Sequence, residues 1–584
     1  MRHFSRKLAG LSAACLLLLA SVIHADNTDQ TATASAPAAN VVPGSTTLGP
    51  FGIGGDYHTG QNLLPWMPQM AAIGIQRMRC CTPAQMDYLT GLNIQFGGLL
   101  YGVPPGDTLD APGSLPVKDL DTWKAFVTST VKQANGRVKF WELWNEPPNG
   151  IGPGQTAADY AKLLVATYDA AHAVDPTCLV GICAKSVDVN WLYQTIQAGG
   201  KDHFDYVNLH PYETLGCALD HPGAEPIFMS IVPTVRKLLA AEDPAKANVP
   251  VMCTELGSDA SKGADNQAFA LVKAYTMGIA QGIACIEWFE GIDGDSGPMG
   301  LLQGDGRPRP SYTAMAQMIK YLGQHPAYLG WVLLNDKDYA FVFQGAKDKV
   351  LITWAKKGTT DTVDFGGASI VDPLTGKVQQ PDENIDINQR KLPGSASPSS
   401  ISLTEAPIIV VNPPDNLVKL AQGNATKPFP WDGDYTNAKS VSVTFGTTNV
   451  EKGLHTQSAA NVAADVVLYG GSARAGSVPG GNVFMVDPNF LSYTSTPIEI
   501  TVVVRRDAAN DNAGFAIKYE STTGNSKSCG WFTVPESQDW TTMSWKITDA
   551  QFVSMYGFNF ALDSDGNVYN KYDIQSVTVT KVDQ

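Results

Sequence analysis

The sequence predicts an α/β protein, a (β/α)8 barrel followed by a small β-sandwich and then by a C-terminal, jelly-roll-like β-sandwich. Three observations predict it. Eight short apolar runs alternate with helical patterns over about 275 residues, the count and size of such a barrel. Beyond Tyr321 helical periodicity gives way to short alternating strands and turns. The chain has 584 residues, of which 44% are hydrophobic and 17% charged, so it is long enough for two or three domains and apolar enough to fill their cores.

In order, the eight runs are GPFGIGGDYH (49–58), IQRMRCC (75–81), IQFGGLLYG (94–102), VKFWELWNEP (138–147), CLVGICAK (178–185), FDYVNLHPY (204–212), VPVMCTELG (249–257) and GIACIEWFEG (282–291). Each is short, β-branched or aromatic, and bounded by Gly, Pro or polar residues, as a strand buried on both faces should be. Residues 157–175 and 267–281 carry apolar side chains at helical spacing between the runs. A doubly wound open sheet is the competing arrangement, but no Gly-rich phosphate loop follows the first run.

The flanking segments divide as follows. Residues 1–25 read as an export signal: Arg2, Arg6 and Lys7 precede an apolar run from Leu8 to Ile23, with cleavage expected after Ala25. A secreted or periplasmic location is expected, with no membrane span once the signal is removed. Residues 26–47 are small and polar and read as a linker. The barrel is expected over 48–323, the small sandwich over 324–412 and the last sandwich over 415–584.

A net charge of −15, without clustered Lys and Arg, argues against nucleic acid as a partner. Cys15 falls in the export signal. The remaining cysteines include Cys80, Cys81, Cys183, Cys253 and Cys285 on barrel strands, where they read as packed thiols. No CxxC or HxxxH spacing suggests a metal, and none is expected.

In such a barrel the C-terminal strand ends share one mouth. FWELWNEPPNG places Asn145 and Glu146 at the end of the fourth strand, just before two prolines stop it, and VMCTELG places Glu255 at the end of the seventh. Two facing carboxylates can split a glycosidic bond if one stays protonated and the other ionised. Competing readings remain for each residue. Arg79 could instead neutralise Glu142, deeper on the same strand as Asn145 and Glu146 and itself read as structural. His210 and Trp288 have core readings, and Glu287 and Glu290 are rival acids.

WNEP, HPY, TELG and EW, at the fourth, sixth, seventh and eighth strands, resemble the clan A glycoside hydrolases, particularly families 39 and 5, over roughly residues 48–320. The resemblance implies a retaining enzyme that needs no cofactor. Glu146 would be the acid/base and Glu255 the nucleophile. Asn145 would bond the sugar 2-hydroxyl, Tyr212 would touch the nucleophile, His210 would line the site, Arg79 would hold Glu255 ionised and Trp288 would offer a stacking platform. Asp56 and His58, ending the first strand, would bind a sugar at the edge. The expected substrate is a β-linked polysaccharide or oligosaccharide. A transglycosylase keeps the same residues; a carbohydrate-binding protein on a barrel that has lost catalysis is the other alternative, against which the retained acid pair argues.

In the last sandwich Trp431, Tyr435, Trp531 and Trp540 are candidates for glycan stacking, against a core role for each. Asp563 to Asn567 gathers oxygen ligands suited to calcium, although a turn explains the cluster better.

Overall fold

The computed structural model describes residues 49–54, 63–79, 83–379, 400–456, 473–478, 481–509, 511–566 and 568–582. The export signal, the linker, Asp56, His58, Cys80 and Cys81 lie outside the described residues.

Eight parallel strands close into a barrel in sequence order: β1 (Phe51–Gly54), β2 (Arg77–Arg79), β3 (Gln95–Leu100), β4 (Val138–Leu143), β5 (Leu179–Lys185), β6 (Tyr206–His210), β7 (Val251–Leu256) and β8 (Ile283–Trp288). All eight expected runs therefore form strands, and closure is made by β1 against β8, with Ile53 beside Trp288. Helices join them. The Ala157–Val174 helix starts at Thr156, whose backbone N–H is bonded by Asp159, a reciprocal capping box that fixes where the chain turns back from β4.

Inside the barrel the side chains stack in layers. Phe140, Tyr206, Met252 and Cys285 form an apolar cluster, and the Arg77 guanidinium lies 4.2 Å from the centre of the Phe140 ring. Two residues further along β2, with the same strand face repeated, stands Arg79. The alternation breaks at one place that matters: the pairing of β7 with β8 shifts register between Cys253 and Leu256. A shift of this kind re-aims side chains, and here successive residues Thr254 and Glu255 both reach the barrel interior.

Beyond the barrel, a six-stranded antiparallel sheet runs in the order 378–379, 369–371, 408–411, 349–354, 338–344, 327–334. One face packs under a two-stranded sheet of Asp361–Asp364 and Ser400–Leu403 and under a helix at Asp415–Asn424. These residues were expected to begin the last sandwich; instead they form a helix whose Val418 and Ala421 join the core of the middle sheet, and the compact unit continues to Thr426. Its apolar residues recur at helical spacing, but they follow directly on the turn-forming Pro413-Pro414-Asp415-Asn416.

The second compact unit comprises residues 427–584 with two short pieces of the earlier chain, 186–190 and 213–237. Its main body is two antiparallel sheets face to face. One runs 450–452, 440–444, 572–581, 498–506, 541–547; the other runs 454–456, 482–486, 560–563, 514–521, 524–533. Alternating Val, Ile and Phe side chains from both fill the space between them. Met485, on the outward side, packs with Trp431 and with Cys217, Ala224 and Ile227 of the second short piece.

Candidate active site

The site grows from the end of β4. Leu143 ends the strand, and the Trp144 N–H still bonds Leu100 O on β3 (2.9 Å). Trp144 and Glu146 then adopt φ of 67° and 51°, in the left-handed region that a bulky side chain avoids. Packing holds this conformation. The Trp144 ring lies 4.3 Å from that of Tyr101, its indole N–H donates to Gly150 O (3.2 Å), and the Lys185 N–H of β5 donates to Pro147 O (3.0 Å). The residues that end the strand thus aim Asn145 and Glu146 at the barrel mouth.

Arg79 organises what surrounds them. Its Nε and Nη2 donate to the two oxygens of Glu142 (2.9 and 2.7 Å), its Nη1 to Glu255 Oε2 (2.8 Å) and its Nη2 also to Asn145 Oδ1 (2.7 Å). Both sequence readings of Arg79 hold at once: it neutralises Glu142, and it grips Glu255. Burial pushes the Glu142 carboxyl up, but the Arg79 charge and its fork of hydrogen bonds outweigh burial and hold it below the usual carboxylate range. Charge-assisted hydrogen bonds contribute about 1.5–3 kcal/mol each, so two of them offset a desolvation cost of several kcal/mol.

His210 bridges the two acids. Its Nδ1 lies 3.0 Å from Glu146 Oε1 and 3.6 Å from Glu255 Oε2, and its Nε2 lies 3.1 Å from Thr254 Oγ1. Burial opposes a charge on the ring; the carboxylates of Glu255 and Glu146 outweigh it and raise the imidazole above its ordinary value. Glu146 moves the other way: burial raises it, and the His210 hydrogen bond and charge prevail and lower it. Both shifts act to favour a proton on His210 over one on Glu146 in the free site. Tyr212 donates its hydroxyl to Glu255 Oε1 (3.0 Å); burial and the Glu255 charge push its phenol well up, so it remains a donor.

Glu146, His210 and Glu255 each offer an atom within 4.8 Å of the others, a donor set that also suits a divalent cation. The charges fit one poorly. The Arg79 guanidinium already bonds Glu255 Oε2 at 2.8 Å, the same oxygen that faces His210, so a fixed positive charge stands beside the set.

Of the residues expected at the mouth, the structure brings together Arg79, Asn145, Glu146, His210, Tyr212 and Glu255. Trp288 is corrected. It has no exposed surface, so it offers no open stacking face, and its indole N–H has no hydrogen-bond partner among the described residues. The rival acids lie apart: Glu287 is buried beside Arg77, with Nε to Oε1 at 3.5 Å, and Glu290 accepts the Gly294 N–H (3.0 Å).

Two members escaped the sequence reading. The Thr254 hydroxyl stands 2.9 Å from both Glu142 Oε2 and Asn208 Oδ1, and Asn208 Oδ1 also accepts the Thr254 N–H (3.1 Å). Asn208 sits two residues before His210 on β6, so strand alternation pointed to it; Thr254 depends on the register shift in β7.

No protein-family model and no curated protein matches this sequence. Solved structures do. A family 39 glycoside hydrolase from Bacteroides cellulosilyticus WH2 is 18% identical, with 62% of this chain and 80% of that one covered at a TM-score of 0.49. The family 30 subfamily 8 xylanase Xyn30A from Clostridium acetobutylicum is 13% identical, with 62% and 96% covered at 0.44. A glucosidase from Croceicoccus marinus is 11% identical, with 93% and 98% covered at 0.39.

In the last sandwich three of the four aromatic candidates serve the fold. Trp431 is buried and stacks on His455 with ring centres 3.7 Å apart. Tyr435 packs against the core, and Trp540 is half-buried with the Arg505 guanidinium 4.5 Å from its ring centre. Trp531 alone of the four is exposed. In the proposed calcium cluster, Asp563 pairs with Lys518 and accepts the Asp565 N–H (3.0 Å), the bonding of a turn.

Proposed function

We propose that this protein is a secreted, retaining glycoside hydrolase that cleaves β-linked polysaccharide or oligosaccharide by double displacement. The observation that carries the reading is the facing pair: Glu146, in the turn after β4, and Glu255, on β7, have carboxylate oxygens within 4.8 Å of each other across a buried histidine. A retaining site keeps its carboxyls about 5–5.5 Å apart, and an inverting one leaves about 6.5–9.5 Å for a water.

The roles follow from the partners. Glu255, held by the Arg79 guanidinium and the Tyr212 hydroxyl, attacks the anomeric carbon. Glu146 protonates the leaving oxygen and later deprotonates the incoming water. Burial is already the largest influence on Glu146, and it favours the protonated acid. A sugar filling the mouth deepens that burial and draws the proton from His210 Nδ1 across 3.0 Å to Glu146. Asn145, fixed by Arg79, offers its amide N–H groups to the sugar 2-hydroxyl. The export signal supports secretion.

The test is Glu255→Ala. Turnover should fall on the order of 10⁴- to 10⁶-fold, and azide should restore it while giving a glycosyl azide of inverted configuration. Wild-type-like turnover in this variant, or an inverted sugar from the native protein, sinks the reading.

A further inference from the structure

Trp531 is 48% exposed, a large apolar surface left in water, and several features of the local sequence put and hold it there. On its strand, Cys529 and Phe532 both pack against the sandwich core. Simple alternation from Cys529 would turn residue 531 inward as well. Gly530 breaks the alternation: it takes φ of 92°, and the pairing with the neighbouring strand shifts register between Ala516 and Lys518. The outcome is an outward tryptophan.

Its orientation is fixed on three sides. A Cβ on Gly514 would lie 2.6 Å from Trp531 Cζ2 and 2.9 Å from Cε2, so the indole rests against the strand where glycine leaves room. The indole N–H donates to Thr533 Oγ1 (3.2 Å), and Tyr569, itself 36% exposed, meets the ring edge-on at 5.0 Å. The Gly514 N–H bonds Tyr569 O (3.0 Å), which ties the tyrosine to the same strand. Across the sheet, Trp531 pairs with Ala516 and Ala516 with Asp563, whose carboxylate pairs with the partly exposed Lys518. An aromatic ring, a small residue and a charged pair thus lie in a row over three strands.

We infer that this row is a saccharide-binding site, taking a neutral pyranose unit of a glycan chain. The C–H face of the sugar stacks on the open side of the indole, Tyr569 forms a wall, and Asp563 and Lys518 bond the ring hydroxyls over Ala516. The choice of a glycan rests in part on the hydrolase reading of the barrel; the exposed, preset indole does not.

The test uses the full chain in affinity electrophoresis through gels containing xylan, barley β-glucan or galactomannan, with dextran as control. At least one polysaccharide should retard the native protein, and Trp531→Ala should weaken that retardation at least tenfold while hydrolysis of a small aryl glycoside stays unchanged. Trp531→Tyr, which keeps a ring, should restore part of it. Retardation by none of the polysaccharides, or equal retardation of Trp531→Ala and the native protein, overturns the inference. A protein that binds through Trp531 but releases no sugar overturns only the hydrolase reading.

Discussion

Arg77 and Arg79 stand two residues apart on one strand, both point into the barrel and both meet glutamate, yet their surroundings differ. Arg79 donates from all three guanidinium nitrogens to four acceptor atoms of three side chains, all within 2.9 Å. Arg77 meets Glu287 only at 3.5 Å, and neither oxygen of Glu287 has a hydrogen-bond partner among the described residues. The acids respond in opposite ways. Glu142 is held below its ordinary value because the guanidinium fork beats burial, whereas burial beats Arg77 and pushes Glu287 up to about 7. A charge of opposite sign is not enough to keep a buried carboxylate ionised; hydrogen-bond geometry decides.

The contrast predicts unequal mutational costs. Arg79→Ala should have the largest effect: it strands Glu142, frees Glu255 and releases Asn145, so kcat/KM should fall on the order of 10³-fold with about 3–5 kcal/mol of stability lost. Steady-state kinetics and urea unfolding check both, and unchanged kcat/KM would break the comparison outright. His210→Gln should act through the pH profile. In the native site, the shared proton is held between a lowered Glu146 and a raised His210, so kcat/KM should persist above pH 6.5 and fall only as His210 loses its proton. Without the imidazole the last proton leaves a carboxyl, and the basic limb should move to lower pH. A basic limb that stays put removes His210 from the proton path. The smallest effect should come from replacing the looser pair with apolar groups. Arg77→Met with Glu287→Leu should leave kcat within a few-fold and stability neutral or up by about 1–4 kcal/mol, whereas Arg77→Met alone should cost about 3–5 kcal/mol. Loss of turnover in the folded double variant would show that the lower pair serves the chemistry.

Much of this site was legible because strand ends in a barrel converge whatever the separation in sequence. FWELWNEPPNG, HPY and TELG each carried both a strand and its terminal side chains, and IQRMRCC carried Arg79, so six of the expected mouth residues meet. Side-chain direction was legible only where alternation held. Thr254 and Trp531 were turned by a register shift, which leaves little trace in composition; Gly530 is the single mark of the second. Burial of Trp288 is a property of neighbours brought in from elsewhere in the chain, and an indole at a strand end reads alike whether covered or open. The helix at 415–424 was hidden for the opposite reason, since a strong local turn signal outweighed a modest helical pattern.

The acid-bearing turn is bonded back to the scaffold on both sides: the Trp144 N–H bonds Leu100 O on β3 and Pro147 O takes the N–H of Lys185 on β5, while Glu146 O takes the Asn149 N–H (2.7 Å) within the turn. Glu146 is in effect mounted on the wall and not carried on a loop. Long connections around the rim can then be lengthened, exchanged or lost without displacing the proton donor. Under the proposed function, swapping such a rim segment for that of another barrel should alter which glycan is accepted while bond cleavage itself persists.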